Sequence, residues 1–141
     1  MKDSGISIRP IRRADAKGWE RLRTALWPGD HWEEVVRFFE GSLPEPQAVL
    51  VAEDEFELIG VVELSLRHDL PEAQGAPVGY IKGLYIAPDH RRTSLTRKML
   101  AAARRWARAQ GCSFFASDRD DRAIFDRRFT RRPPNSASPG R

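Results

Sequence analysis

At 141 residues and 16.1 kDa the chain has the size of one domain with a real core, and 40% hydrophobic with 31% charged residues is the balance of a soluble globular protein. No apolar run is long enough to span a bilayer, Met1-Lys2-Asp3-Ser4-Gly5 lacks a secretory apolar core, and one cysteine, Cys112, excludes an internal disulfide framework, so a cytoplasmic setting is expected. A pI near 9.7 invites a nucleic-acid partner, but the charge is placed otherwise: residues 1–118 hold 17 Lys/Arg against 17 Asp/Glu, the whole +4 lies in 119–141, and 30–72 is net −10.

Ile6 to Ile11 alternates, Ile6 and Ile8 against Ser7 and Arg9, as a first strand. Asp15 is placed to cap a helix carrying Trp19, Leu22 and Leu26 on one face, which Pro28-Gly29 ends. Trp32 to Phe39 is a second, short helix with Val35, Val36 and Phe39 inward, and Gly41 to Pro46 is a loop. Val49 to Ala52 and Leu58 to Leu66 form a hairpin turning around Asp54-Glu55, followed by a loop from Asp69 to Pro77. Tyr80 to Ile86 is aromatic or β-branched at most positions and stops at a proline, as a buried strand does. Leu95, Met99, Ala102, Ala103 and Trp106 mark an amphipathic helix that Gly111 stops, and Cys112 to Ser117 is a fifth strand. Strand, two helices, hairpin, strand, helix, strand is an α/β order with a mixed sheet.

Between the central strand and its helix lies a short basic loop, Ala87 to Ser94. Its backbone N–H groups and the positive helix end make an anion site, although such a unit also serves simply to pack a helix on a sheet. The run Arg91-Arg92-Thr93-Ser94-Leu95-Thr96 resembles the acetyl-CoA pyrophosphate loop of the GNAT N-acetyltransferases, whose pattern is Arg or Gln, two residues, Gly, one residue, Gly or Ala. Arg91 fits the first position, and Ser94 and Thr96 occupy the two small ones. The element order agrees over residues 6 to 118. Leu26-Trp27-Pro28, Leu66-Arg67-His68-Asp69, Gly83-Leu84-Tyr85 and Ala116-Ser117-Asp118 together resemble the aminoglycoside 6′-N-acetyltransferases.

The resemblance implies one GNAT-like domain over 1–130, with a mostly antiparallel central sheet flanked by helices, and acetyl transfer from acetyl-CoA to a primary amine of an aminoglycoside. It implies pantetheine bonded to the backbone of the Leu84, Tyr85 and Ile86 strand, and the pyrophosphate on N–H groups of Thr93, Ser94, Leu95 and Thr96 with Arg91 and Arg92 adding charge. The acceptor attacks the thioester directly, so positioning, oxyanion stabilisation and a carboxylate for the ammonium proton are the protein's share. Trp27 is then a wall for a sugar ring, or else an interior helix-end tryptophan. Asp118 contacts the acceptor amines, or else caps a following helix. Family members also pair as homodimers, which stays open for this chain.

Three features depart from the family. Lys82 stands on the central strand where the family has Glu; a charge pair at ~4 Å is worth about 1 kcal/mol in water and ~4 kcal/mol near protein. Affinity for a cationic acceptor is therefore expected to fall, unless Lys82 meets a carboxylated substrate or the CoA phosphates instead. Side chains at Ser94 and Thr96 cost roughly 1–2 kcal/mol if φ is positive there, which is expected to weaken acetyl-CoA binding, although Ser94 can cap the helix. No tyrosine follows Tyr85 to serve as the family's acid; Arg119 to Thr130 reads as one short helix with Ile124, Phe125 and Phe129 inward, and 131–141 as a disordered basic tail. The expectation is a truncated or frame-shifted member lacking the usual last strands.

His31, His68 and His90 have no metal-ligand spacing with one another or with Cys112, so no metal is expected, and Cys112 reads as packing. The rival readings are a catalytically inactive GNAT-like domain that binds CoA or a protein, and an Arg-tail nucleic-acid binder. No membrane or nucleic-acid partner is expected.

Overall fold

The computed structural model describes residues 5–119 and 122–126. One six-stranded sheet runs in sequence order: β1 (Ser7–Pro10), β2 (Ala48–Glu53), β3 (Leu58–Arg67), β4 (Val78–Ile86), β5 (Phe114–Arg119) and β6 (Arg122–Asp126). Neighbours are antiparallel except β4 and β5, which are parallel. Parallel strands need a crossover, and α3 (Leu95–Ala109) supplies it. The helices α1 (Ala16–Leu26) and α2 (Trp32–Glu40) lie between β1 and β2 in sequence. The expected mixed, mostly antiparallel sheet is the observed one.

Period-two alternation of β2 and β3 splits the core between the two sheet faces. Leu50, Ala52, Val62 and Leu64 pack with Leu95, Met99 and Ala103 of α3. Val49, Val51 and Val61 pack with Trp19 and Leu22 of α1 and Val35 of α2. Gly79 of β4 is where α3 comes closest: a Cβ there would stand 2.5 Å from the Ala107 Cβ and 3.1 Å from Phe115 Cδ1. Ala107 is fully buried on a helix, so the neighbour that must yield is backbone-borne. Gly79→Ala is expected to cost about 1–3 kcal/mol through overpacking, read as a lower urea midpoint; an unchanged midpoint would mean that α3 floats on the sheet.

Two expectations are corrected. Asp15 does sit before α1, but its side chain makes no cap to that helix. It accepts from Arg12 N–H at 2.7 Å, inside a 3-10 turn over Arg13–Asp15, and from the Arg9 guanidinium of β1. That guanidinium holds the Asp15 carboxyl below its ordinary range; a bidentate cation is a stronger partner than one helix amide. The segment expected as a helix over 119–130 is instead a strand over Arg122–Asp126, antiparallel to β5. A strand satisfies the outer backbone edge of β5, which a helix would leave unpaired. Residues 127–130 and the expected tail, 131–141, lie outside the described residues.

Candidate active site

β4 carries the site because it is paired unequally on its two sides. Against β3 it is paired from Val78 to Ile86, but against β5 only from Val78 to Ile81, the last partner being Ser117. From Lys82 onward the β5-facing edge is open among the described residues. The opening coincides with a bulge: Glu63 faces Gly83 while Leu64 faces Ile81, so Lys82 is the extra residue. A bulge bends its strand and increases local twist, which turns β4 away from β5. Ligands in open α/β sheets gather at the carboxyl ends of parallel strands, and this opening lies there.

The open edge leads to the first turn of α3. Ser94 precedes that helix at φ −76, and no described residue from 91 to 96 has positive φ. The Cβ penalty expected at Ser94 and Thr96 is therefore absent, because this loop does not use the left-handed region. Ser94 stands at the cap position without a side-chain cap bond; Thr93 Oγ1 takes the Leu95 N–H instead, at 3.2 Å. Thr93 N–H donates to His90 O at 3.4 Å. Both bonds are long, and a phosphate oxygen is the stronger acceptor. The amides of Thr96 and Arg97, like every first-turn amide, have no carbonyl one turn back. Arg91 is committed to the loop: its Nε donates to Ile86 O at 2.7 Å and its guanidinium lies 5.2 Å from the Tyr85 ring centre. It staples the loop to the end of β4, while Arg92 is exposed. Leu84 and Tyr85 are half-buried and Ile86 is buried, so an extended ligand would meet their backbone rather than their side chains.

On the other face of the sheet Trp27, the residue after α1, lies over Gly83. A Cβ at Gly83 would stand 2.6 Å from Trp27 Cη2. The tryptophan is 36% exposed, so it is not an interior residue. Beside it Lys82 Nζ is 2.9 Å from Glu45 Oε1, a residue of the loop between α2 and β2. At the end of β3 the Arg67 guanidinium lies 4.6 Å from the ring centre of Tyr80 on β4 and pairs with Asp69 at 2.7 Å. That pairing lowers the Asp69 pKa. Asp118 lies on β5 one residue past the last β4 pair; its side chain is outside the described residues.

Sequence reading missed what holds Trp27 in place. Glu63, fully buried on β3, accepts from Trp19 Nε1 at 2.9 Å and from Arg23 Nε at 2.9 Å. Arg23 reaches on to Glu34 of α2 at 2.6 Å and lies 5.5 Å from the Trp27 ring centre. Glu34 pairs with His31 Nδ1 at 3.1 Å, and His31 Nε2 meets the Trp27 carbonyl. The legible signal was a lone carboxylate inside the apolar run Leu58 to Leu66, since a buried charge has a partner.

Both ring nitrogens of His31 face acceptors, which only the imidazolium can satisfy as donor. Its pKa is raised, chiefly by Glu34, and that of Glu34 is lowered, chiefly by His31. The raised histidine stabilises fully below its ordinary value and loses that contribution as pH rises through the folded one; the lowered glutamate loses its own as pH falls. The pair is strongest between the ordinary values of 4.5 for glutamate and 6.5 for histidine. The melting-temperature deficit of His31→Gln is thus expected to peak in that window and to shrink as pH rises above it. A deficit independent of pH would show that His31 is neutral.

An opened strand edge running into a helix N-terminus can take an extended anionic ligand, its chain against the strand backbone and its charge on the first-turn amides. A model of the acetyltransferase (GNAT) family matches residues 11–128. Aminoglycoside N(6′)-acetyltransferase type 1 of Klebsiella aerogenes is 36% identical over 121 residues, 82% of this chain and 80% of that protein. Its counterpart in Stenotrophomonas maltophilia is 35% identical over 121 residues, 84% of this chain and 78% of that protein. Among solved structures, the 6′-N-acetyltransferase AAC(6′)-Ih of Acinetobacter baumannii is similar at a TM-score of 0.72 and 26% identity, covering 82% of this chain and 80% of that one. AAC(6′)-Iy, in complex with the bisubstrate analogue CoA-S-monomethyl-acetylneamine, has a TM-score of 0.72 at 29% identity, covering 83% and 81%. The chain belongs to the GNAT family of N-acetyltransferases. The family's donor is acetyl-CoA, and the open edge of 82–86 with the first-turn amides of α3 is a donor set that fits it.

Proposed function

We propose that this chain transfers acetyl from acetyl-CoA to the 6′-amine of an aminoglycoside, the chemistry of antibiotic resistance. The observation that carries the reading is the opening of the sheet after Ile81 and Ser117, two residues before β4 passes beneath Trp27. Kinship with N(6′)-acetyltransferases at up to 36% identity supports the acceptor. Acetyl-CoA supplies the thioester, whose acetyl passes to an unprotonated amine with release of free thiol. Backbone groups of Leu84, Tyr85 and Ile86 hold the extended donor. The amides of Thr96 and its neighbours from Thr93 to Leu95, with Arg92, take the pyrophosphate, and Arg91 fixes the loop that presents them. Trp27 walls the sugar, and Asp118 accepts the ammonium proton before attack. Lys82 belongs to the acceptor side, where its positive charge is offset by Glu45.

The partner is accordingly a small polycationic amine and not a nucleic acid, and the setting is cytoplasmic; homodimer formation is an open part of the proposal. Among the described residues no helix is long and apolar enough to cross a membrane. The test is free-thiol release by the purified protein given acetyl-CoA with and without kanamycin. Acceptor-dependent release is expected. Acetyl-CoA binding with no release above the acceptor-free rate, across a panel of aminoglycosides, would leave an inactive CoA-binding domain instead.

A further inference from the structure

Two carboxylates joined to β3 and β4 side chains, Asp69 and Glu45, differ in how they are held. Asp69 is gripped bidentately by Arg67, Nε to Oδ1 at 2.8 Å and Nη2 to Oδ2 at 2.7 Å. Glu45 has a single point-charge partner, Lys82 Nζ, at 2.9 Å, with the two side chains 37% and 43% exposed in the order lysine, glutamate. A bidentate Arg–carboxylate pair is geometrically locked, whereas an exposed Lys–carboxylate pair is weak and readily exchanged. A lysine ammonium is also the same chemical group as a protonated aminosugar amine. Lys82 sits on the bulge where the sheet opens, so Glu45 is held at that opening.

Building on the acetyl-transfer reading, we infer that Glu45 is a specificity-determining carboxylate for the acceptor, and that Lys82 occupies it as an internal surrogate until an acceptor ammonium displaces it. The pair acts as a charge filter. A polycationic acceptor must break the Lys82–Glu45 bond to bind and is then left beside an unpaired lysine ammonium. An acceptor with one amine, which enters as the reacting group, has no second cation to spend on Glu45. The strand-borne cation is thereby answered by a glutamate from the loop between α2 and β2.

A double-mutant cycle of Lys82→Gln and Glu45→Gln tests this, read as KM for kanamycin and for the monoamine glucosamine. Removing a like charge about 4 Å away is worth about fivefold in affinity, and sparing the ion pair adds about threefold. Lys82→Gln is expected to lower the kanamycin KM about fifteenfold where Glu45 is present and about fivefold in the E45Q background. Glucosamine should show little coupling, and the kanamycin coupling should shrink in 1 M salt. Equal effects of Lys82→Gln in both backgrounds would overturn the displacement, and no effect of Glu45→Gln in either would overturn the role of Glu45. Calorimetric binding of kanamycin to the same four proteins reads the cycle without turnover. Coupled binding with no thiol release would sink the catalytic reading and keep the filter; thiol release with no coupling would do the reverse. Absence of kanamycin binding to all four proteins would sink the filter.

Discussion

Arg23→Met is expected to lower the unfolding free energy by about 3–5 kcal/mol. The reason is Glu63, which is left fully buried with Trp19 Nε1–H as its remaining partner. A carboxylate in the interior keeps its charge only while a cation and hydrogen bonds replace its water. Arg23 provides the cation from a side chain that is itself 11% exposed. Methionine retains much of the stem's packing against Trp19 and Trp27, so the loss isolates the charge. The informative control is the double variant R23M/E63Q, in which no buried ion is left uncompensated; it should recover most of the deficit. Urea denaturation with unchanged m-value measures both. A loss below about 1 kcal/mol for the single variant, or a double variant no better than the single one, would show that Glu63 is solvated or neutral in the fold. Arg23 also joins α1 to α2 through Glu34, so acceptor turnover should fall in the single variant by more than its unfolded fraction explains.

Local patterns carried most of the architecture. β3, β4 and α3 were legible because alternation and helical spacing are properties of neighbouring residues, and the apolar stripe from Leu95 to Trp106 has no second interpretation. The order of the elements announced a mixed sheet but not which pair is parallel: β1 and β2, with two helices between them, are antiparallel, and β4 and β5, with one, are parallel. What stayed hidden depends on partners distant in sequence. The Arg23–Glu63 bond spans 40 residues, and nothing near Arg23 marks it as a core residue. Asp15 looked like a cap because capping is local, yet Arg9 took it from the adjacent strand. Ser94 and Thr96 looked strained because glycine at those positions suggests positive φ, while the backbone there stays at negative φ. Lys82 read as a bare cation in an acceptor pocket, and only the fold shows Glu45 brought to it from the α2–β2 loop. The segment 119–130 read as a helix from the spacing of its apolar residues, and pairing with the free edge of β5 makes Arg122–Asp126 a strand instead.

The position that should couple structure to turnover most sharply is Gly83. Its backbone needs no special conformation; what it supplies is space, because the face of β4 there is covered by Trp27 and Leu26. An alanine Cβ would stand 2.6 Å from Trp27 Cη2, 3.0 Å from Cζ2 and 3.2 Å from Leu26 Cδ1. Van der Waals contact requires the indole to retreat by about 1 Å. The ring can do so, since it is 36% exposed and has solvent behind it, so stability should fall by only about 1 kcal/mol. The proposed acceptor wall, Trp27, is then misplaced by about the distance that costs positioned reactions on the order of 100-fold. Gly83→Ala is therefore expected to lose about 100-fold in kcat/KM for an aminoglycoside while its melting temperature drops by a few degrees. Trp27→Ala should lose a similar factor by removing the wall outright, and adding Gly83→Ala to it should cost little more, because the clash has gone. Turnover within threefold of wild type in Gly83→Ala would mean that Trp27 is a bystander. Full additivity of the two substitutions would place the effect of Gly83 in the strand rather than in the ring above it.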